Sequence, residues 1–529
     1  MRRASIVMAA GTMVSRILGF VRTYLLTVIA AGTSLTLDAF QAANTLPNVV
    51  FILLSAGVLN AILIPQITRA MKQPDGGQEF VDRLLTVSFA SVLVVTTVAT
   101  LASPWLLDLY FSSSGATRHL TIFFGFICMP QIFFYGLYAI LGQVLNARNQ
   151  FAAFMWSPVL ANVIQIAGLV WFLVQFGAHP DPATWTPEMV WVLAGTTTLG
   201  IIIQGLFLII PLHRGGFRWR PRWGIRGYGL GAAARITVWT FTALVIAQFA
   251  GIIMKKMLSH VRLVHPEVSS SISAYDNAFL IFMLPQSFIT TSILTALFPR
   301  MSRANADGNN SAMKKLLRQG LEMPALAIIP CSLAMVVLAR PGVQTVFSLE
   351  PGQVGSLARA VAVMGVGLLP FGIATLQQRY CFAREDGKLN LIMQAVTTGV
   401  QLIILVTMFV FPPQHALVVV AAAQTIANLV GAVAWLVVAS RQLGGIGMGE
   451  VNRLWTKLAV ASIVAAVPTY LVAHGIDAAG HGAWVGHAGG TLIGGVLFVA
   501  LFLVLAKILR IVEVLDLLNP MLRKVMRRS

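Results

Sequence analysis

Apolar stretches of about 20 residues or more follow one another along almost the whole of this 529-residue chain. A helix needs about 20 consecutive apolar residues to cross the hydrocarbon core of a bilayer. Lipid offers no hydrogen bonds to the backbone, so runs of this length are typical of membrane-spanning helices. Only 10% of the residues are charged, against about 25% in soluble proteins. The sequence therefore predicts an all-α polytopic membrane protein.

The apolar runs divide into fourteen predicted transmembrane helices. They are separated by short polar loops, several of them rich in glycine and proline. The predicted spans are 4–31, 36–71, 81–107, 119–146, 152–176, 188–212, 229–258, 270–303, 313–340, 357–384, 389–411, 415–441, 452–474 and 484–510.

The loops alternate between basic and nearly uncharged. With both termini, one set holds 28 of the 37 lysines and arginines; the opposite set holds four, and five fall within helices. Cytoplasmic loops carry such an excess of positive charge. The pattern predicts that both termini are cytoplasmic. The net charge of +19 is then mostly topological, and we expect no nucleic-acid partner.

An internal repeat relates predicted helices 2 and 8. Asp38 and Asp276 each lie nine residues before a proline that follows leucine, and the helices end in the similar stretches PQITRA (65–70) and PRMSRA (299–304). Helices six spans apart cross in the same direction, so the repeat predicts two parallel six-helix lobes. Chance similarity between apolar helices is the alternative. The predicted domains are 1–228 (first lobe and basic loop), 229–441 (second lobe), 442–510 (two extra helices) and 511–529 (tail).

Polar side chains line one face of some predicted helices. In helix 2, Asp38, Gln41, Asn44 and Asn48 are spaced three or four residues apart, which places them on one stripe. Such stripes also arise from hydrogen bonds that hold helices together. Asp38 lies near the start of its helix, where it could simply cap that helix.

Helix 1 carries two arginines, Arg16 and Arg22, and Ser15 shares a face with Arg22. An arginine at the bilayer centre costs roughly 3 kcal/mol or more. Arg16 is close enough to the helix start to snorkel, whereas Arg22 is not. A protein-lined cavity would host both arginines, and their forked donors suit a planar anion such as carboxylate or phosphate.

Other chemistries find little support. The three cysteines suit neither a metal site nor a disulfide framework, and the histidines are scattered. We expect no metal and no cofactor. A membrane enzyme would need an acid/base or histidine constellation, and none is evident. A purely structural scaffold of the division machinery stays open as an alternative.

Three motifs resemble those of the MurJ/MviN lipid II flippases of bacteria, in the superfamily that also contains the MATE drug antiporters. They are SRILGFVR (15–22), DAFQAANTLPN (38–48) and the Pro-x-(Ile/Met)-(Thr/Ser)-Arg-Ala helix ends. The resemblance covers essentially the whole chain. It implies two lobes around a cationic cavity, with helices 13 and 14 forming a groove for the prenyl tail. It also implies alternating access without covalent chemistry, driven by membrane potential or an ion gradient.

The resemblance assigns residues as well. Ser15, Arg16 and Arg22 match the family's helix-1 motif, and Asp38 matches its outer-gate acid. We place Asn44, Asn48 and Asn277 with the helix-1 residues in a diphosphate site. The chain departs from the pattern by having Thr23 where many relatives carry an acid. Val49 to Ile52, and Asn277, stand where many carry arginines. Candidates for compensating cations are Arg235, Lys255 and Lys256.

The resemblance therefore implies a flippase for lipid II in the bacterial cytoplasmic membrane, serving cell-wall synthesis. The alternatives are an exporter of another polyprenyl-diphosphate-linked glycan and a MATE-like drug or cation antiporter. A drug antiporter predicts twelve helices and a buried acid. The basic tail, 511–529, has apolar residues at helical spacing and predicts contact with anionic phospholipids. Cell-wall synthesis or division proteins are further possible partners.

Overall fold

The structure is a computed structural model that describes residues 2–55, 78–148, 150–224, 231–266, 268, 270–347, 349, 351–480 and 484–514. Every regular element in these ranges is helical. The helices are α1 (Arg2–Ile29), α2 (Leu35–Leu54), α3 (Gln78–Leu101), α4 (Ser103–Tyr110), α5 (Gly115–Cys128), α6 (Gln131–Ala147), α7 (Phe151–Gln175), α8 (Pro187–Val190), α9 (Thr196–Phe207), α10 (Ile209–Arg214), α11 (Gly231–Val264), α12 (Ile272–Pro285), α13 (Thr291–Ala306), α14 (Asn310–Val337), α15 (Ala339–Val346), α16 (Pro351–Val366), α17 (Leu368–Ala383), α18 (Gly387–Val406), α19 (Ala416–Leu443), α20 (Met448–Ala479) and α21 (Trp484–Ile508).

Among the described residues, 13 helical segments are long and apolar enough to cross a membrane. A further pair, Gly352–Val366 and Leu368–Ala383, passes the same test together and is bent by 50° at Gly367. Counting the pair as one span gives 14, which confirms the predicted helices. Most bounds agree within a few residues, but α11 continues to Val264 rather than ending near 258, α16 begins at Pro351 rather than at 357, and α20 ends at Ala479 rather than at 474. The predicted end of helix 2, at 71, lies outside the described residues. The orientation of the termini stays a prediction.

The chain forms two compact units. The first contains residues 1–267 and 271–273, and the second contains 268–270 and 274–529. Helix α11 belongs to the first unit, where it packs against α2 and α4. The predicted lobe boundary, between 228 and 229, places this helix in the second lobe. The boundary follows the sequence repeat, whereas the units follow packing, so the functional division stays a prediction.

Small residues allow close helix packing in the first unit. Ala39, Ala42 and Ala43 of α2 are fully buried where α2 packs against α5. Lipid is as apolar as the helix surface, so van der Waals contact rather than water exclusion drives such packing. Phe40 and Phe124 add an edge-to-face ring pair, with centroids 5.4 Å apart. This packing fixes the start of α2, which carries Asp38.

The second unit has its own core. Trp435 of α19 is fully buried, and its ring lies 5.8 Å from that of Tyr380 on α17. The polar residues of α18 and α19 also meet, since Gln401 donates a hydrogen bond to Gln424 at 3.3 Å. That bond joins two helices, which is the structural role left open for polar stripes.

The sequence repeat is only partly within the described residues. Pro47 lies inside α2, and Pro285 ends α12 just before a π-helical turn, Gln286–Thr290. The PRMSRA stretch lies in α13, whereas PQITRA (65–70) lies outside the described residues. The repeat therefore stays a prediction.

Candidate functional site

The Ser15–Arg22 face of α1 packs against α7. Asn162 donates its Nδ2 hydrogens to the backbone oxygen of Ser15 at 3.0 Å and to its Oγ at 3.2 Å. Arg22 Nη1 donates to Gln165 Oε1 at 2.9 Å. Residues seven apart return to the same side of a helix, so both contacts lie along one seam. The shared face of Ser15 and Arg22 is confirmed.

The side chain of Gln165, which accepts the hydrogen bond from Arg22, is fixed in position by its neighbours. The side chain is 1% exposed, and α9 approaches it at Gly200. A Cβ atom on Gly200 would lie 2.9 Å from Gln165 Cγ and 3.0 Å from its Nε2. Because only glycine leaves this space, the close approach of α9 fixes the Gln165 amide against Arg22.

A second polar network lies beside the first. Gln131 Nε2 donates to Asn44 Oδ1 at 3.2 Å and to Thr198 Oγ1 at 2.9 Å. Tyr135 donates its hydroxyl hydrogen to Gln131 Oε1 at 3.4 Å. Asn44 is thereby linked through Gln131 to α9, the helix whose Gly200 lies against Gln165.

Arg22 has no carboxylate partner among the described residues. Its Nε and the Nε2 of Gln165 are buried and find no acceptor within that part of the chain. Arg22 lies seven residues before the end of α1, about 10 Å inside it. A guanidinium so placed without an opposite charge is costly. The arrangement suits a polyvalent anion that supplies the missing acceptors.

Asp38, in contrast to Arg22, has an oppositely charged partner and a hydrogen-bond donor within the protein. The side chain is 1% exposed, and its Oδ1 accepts a hydrogen bond from Ser273 N at 2.8 Å. Its Oδ2 lies 3.6 Å from Arg262 Nη1. The cap of α2 is Ser34, whose side chain accepts from Leu37 N. Asp38 therefore does not cap its own helix; it binds the first turn of α12 and the last turn of α11.

The other predicted site residues are more scattered. Arg16 is half-buried, and Asn48 is exposed. Asn277 belongs to the second unit, is 1% exposed, and neither of its amide atoms has a hydrogen-bond partner among the described residues. The side chain of Arg235 lies outside the described residues. The contacts of the described residues do not test the binding roles assigned to Arg16, Asn48, Asn277 and Arg235.

The two lysines contact α4. Lys255 is 8% exposed, and its Nζ lies 5.6 Å from the centre of the Tyr110 ring, a cation–π distance. Lys256 Nζ donates to the backbone oxygen of Asp108. These contacts give both lysines a local role in the first unit. Their role as compensating cations stays a prediction.

Sequence reasoning missed several members of the site. Asn162, Gln165, Gln131 and Tyr135 were not singled out, and Arg262 was counted only as an outer-loop charge. The spacing of Asn162 and Gln165, three residues apart in an apolar helix, is the signal used for helix 2. The partner of Asp38, in contrast, is 224 residues away in sequence, and no local pattern points to it.

The comparisons with known proteins decide the family. The family model described as lipid II flippase MurJ matches residues 28–483. The chain belongs to this family. A "Probable lipid II flippase MurJ" of Rhizobium meliloti is 25% identical over 435 residues, covering 80% of this chain and 77% of the relative. The lipid II flippase MurJ of Burkholderia cenocepacia is 24% identical over 419 residues, covering 78% of each chain.

Solved structures share the fold. A lipid II flippase MurJ in an inward closed conformation has a TM-score of 0.72 at 18% identity, covering 95% of this chain and 98% of that one. An inward-facing MATE multidrug transporter of the MOP superfamily has a TM-score of 0.63 at 16% identity, covering 83% and 98%. The MurJ family is a family of transporters, and this member is a multi-pass protein of the bacterial cytoplasmic membrane.

Proposed function

We propose that this chain moves lipid II from the cytoplasmic to the outer leaflet by alternating access, for peptidoglycan synthesis. The observation that carries the proposal is Arg22, a cation inside a membrane-spanning helix with amide neighbours and no described carboxylate. Family membership supplies the cargo, since the relatives carry the name lipid II flippase.

A diphosphate fits the chemistry of this site. Arg22 offers a planar fork of donors that matches phosphate oxygens. Its Nε and the Gln165 Nε2 are donors without acceptors in this conformation, so an arriving anion meets unused hydrogen-bonding capacity. Away from bulk water such charge-assisted bonds are stronger than neutral ones. The cargo would thus compensate a charge for which the described residues offer no opposite partner.

The prenyl tail needs an apolar path. In the second unit, a cavity of about 480 Å³ lies among α14, α16, α17 and α20. Helix α20 lines it with Trp455, Thr456 and Ala459. The contribution of α20, the first of the two extra helices, supports the prediction that the segment 442–510 helps to hold the tail; α14, α16 and α17 form the other walls.

Asp38 fits an outer gate. Its bonds to Arg262 and to Ser273 N join α2 to the end of α11 and the start of α12. Opening would have to break a nearly buried ion pair and a charge-assisted hydrogen bond, while closing would restore both. We assign Asp38 to the gate and Arg262 to its partner.

The remaining parts of the proposal concern energy and partners. We propose that the cycle performs no covalent chemistry and is driven by membrane potential or an ion gradient, without a cofactor. The basic tail would contact anionic phospholipids; its residues 515–529 lie outside the described residues. Cell-wall synthesis or division proteins would receive the cargo.

The proposal is tested in cells depleted of the chromosomal copy. An enzyme that cleaves lipid II is added outside, and protection of the lipid measures loss of flipping. Wild-type chain and Arg300→Ala, which changes an exposed arginine of α13, should restore cleavage; Arg22→Ala at equal expression should not. Cleavage that continues after depletion would refute the proposed cargo. Restored cleavage with Arg22→Ala would leave the cargo intact and refute the site.

A further inference from the structure

A large apolar cavity in the first unit has no part in the Arg22 network. Its volume is about 760 Å³, within the ~300–1,000 Å³ typical of small-molecule sites. Helices α3, α6, α9 and α10 and the residues 217–219 form its walls. Ten of the twelve lining residues are leucine, isoleucine, phenylalanine or tryptophan, and the other two are His213 and Arg218.

The cavity has a buried floor and an open side. Leu85, Leu141 and Leu212 are 0%, 6% and 3% exposed and form the floor. Leu206 and Ile209 are each 44% exposed and line the opening. Both residues lie in the predicted span Pro187–Arg214. The opening is thus lined by apolar side chains of a membrane-spanning segment, which suits contact with hydrocarbon rather than with water.

Residues 217–222 form a strap that covers one end of the cavity. Trp219 donates its Nε1 hydrogen to Thr86 Oγ1 at 3.3 Å, and its ring meets Phe89 edge to face at 5.3 Å. Backbone nitrogens of the strap bond to α3 as well, Arg220 N to Asp82 Oδ1 at 3.2 Å and Arg222 N to Thr86 Oγ1 at 3.0 Å. The strap is thereby fixed along α3.

The strap places basic groups at the mouth of the cavity. His213 and Arg218 line it and are exposed, and Arg214 and Arg220 are exposed nearby. The span ends at Arg214, so the cluster lies at a membrane–water interface, where basic side chains attract anionic headgroups.

We propose that this cavity is a binding site for one anionic glycerophospholipid. One acyl chain enters beside Leu206 and Ile209 and lies on the leucine floor, and the phosphate lies against Arg218 and His213. The apolar walls suit an acyl chain, and the two basic groups at the mouth attract a negative headgroup. A bound lipid would contact the ends of α3, α6 and α10 beneath the strap and thereby hold these ends in place.

The test is photo-crosslinking of the full-length protein in nanodiscs. The probe is phosphatidylglycerol with a photoreactive group near the end of one acyl chain, and labelled peptides are identified by mass spectrometry. Ile209→Trp fills the mouth. Its matched control is Ile210→Trp, because Ile210 is 48% exposed on the same helix but does not line the cavity. Arg218→Ala is compared with the control Arg220→Ala, because Arg220 is also exposed but does not line the cavity.

We expect labelling of α3 and α6 residues of the cavity, displaced by unlabelled phosphatidylglycerol and poorly by phosphatidylcholine. Ile209→Trp should abolish the labelling and Ile210→Trp should preserve it. Arg218→Ala should weaken phosphatidylglycerol competition about fivefold, the effect of one interfacial charge, and Arg220→Ala less. Equal labelling in the two tryptophan variants, or equal competition by phosphatidylcholine, would overturn the proposal. Displacement by lipid II in preference to phosphatidylglycerol would overturn the choice of occupant.

Discussion

Two charged side chains of the first unit, Arg22 and Asp38, are held in contrasting ways. Asp38 has an arginine 3.6 Å away and a backbone N–H at 2.8 Å. Arg22 has one amide acceptor at 2.9 Å and no described carboxylate. The charge of Asp38 is therefore compensated from within the protein, whereas no described residue supplies an opposite charge to Arg22.

The contrast separates two uses of a buried charge. A charge with its own partners holds helices in one arrangement, and moving it requires breaking those bonds. A charge without an opposite partner raises the energy of the empty protein and lowers it when a ligand of opposite charge arrives. We infer that Asp38 acts as a latch, meaning a charge that holds helices in one arrangement, and that Arg22 binds the ligand.

The largest effect is expected at Arg22. Arg22→Ala should lower lipid II flipping by at least about 30-fold, because truncating one partner of a buried charged contact costs about 2–5 kcal/mol. Arg22→Lys should retain part of the activity, since it keeps the charge but loses the fork. Flipping is measured as cleavage of lipid II by external enzyme at matched expression. Equal activity of Arg22→Ala and wild type would contradict a binding role.

The second-largest effect is expected when Arg22 is given an internal partner of opposite charge, as Asp38 has in Arg262. Gln165→Glu gives Arg22 an internal carboxylate, so flipping should fall at least about tenfold, or ~1.4 kcal/mol, while thermal stability is retained. Gln165→Leu is the matched control, because it removes the hydrogen bond without adding charge and should lose only a few-fold. A Gln165→Glu protein that flips better than Gln165→Leu would show that the site does not need an uncompensated cation.

The latch itself is tested with a double-mutant cycle. Asp38→Ala leaves Arg262 without its carboxylate, so the free energy of unfolding should fall by up to about 3 kcal/mol. The double variant Asp38→Ala/Arg262→Met should recover part of it, with a coupling of roughly 0.5–3 kcal/mol. Thermal unfolding of the purified protein measures both. Additive losses would mean that the two side chains act independently.

A smaller effect is expected at Gly200. A methyl group there would lie within 3.0 Å of the Gln165 side chain and 2.9 Å from the backbone oxygen of Ala161, so Gly200→Ala should shift the amide and reduce flipping by several-fold. Gly251→Ala is the control, because a Cβ at Gly251 meets nothing within 4 Å. Indistinguishable activities of the two variants would argue against positioning of Arg22 by Gln165.

The smallest effect concerns a pair at the surface. Arg118 donates hydrogen bonds to both carboxylate oxygens of Asp108, at 2.9 and 2.7 Å, which lowers the pKa of Asp108 below its ordinary value. A lowered carboxyl pKa adds stability above the unfolded-state value and loses it as the pH falls through the folded-state value. Asp108→Asn should therefore lower thermal stability near neutral pH, but only slightly because exposed pairs contribute little, and the difference from wild type should disappear as the pH falls through the folded-state value. A marked loss at neutral pH would show a larger role.

Local features of the fold could be predicted from sequence. Long apolar runs fix the spans, because lipid permits few alternatives to a helix, and the shared face of Ser15 and Arg22 follows from helical periodicity alone. The bend at Gly367 and the extension of α11 to Val264 were not anticipated. Both depend on packing against other helices rather than on hydropathy.

The partners of the site residues were harder to predict. Gln165 lies 143 residues from Arg22, and Arg262 lies 224 residues from Asp38. A single sequence carries no signal that pairs such positions, since each pair is set by how whole helices pack. The two lysines of α11 show the same limit: their charge suggested a role in the cavity, whereas their contacts are with α4.

The most direct test of the central claim is the affinity of the full-length protein in nanodiscs for lipid II. Wild type, Arg22→Gln, Gln165→Glu and Asp38→Asn would be compared. We predict that the two changes that remove or neutralise the Arg22 charge weaken binding at least about tenfold, or ~1.4 kcal/mol, while Asp38→Asn binds within a few-fold of wild type. Unchanged affinity in both Arg22→Gln and Gln165→Glu would contradict the account, because the uncompensated cation would then not be what holds the diphosphate.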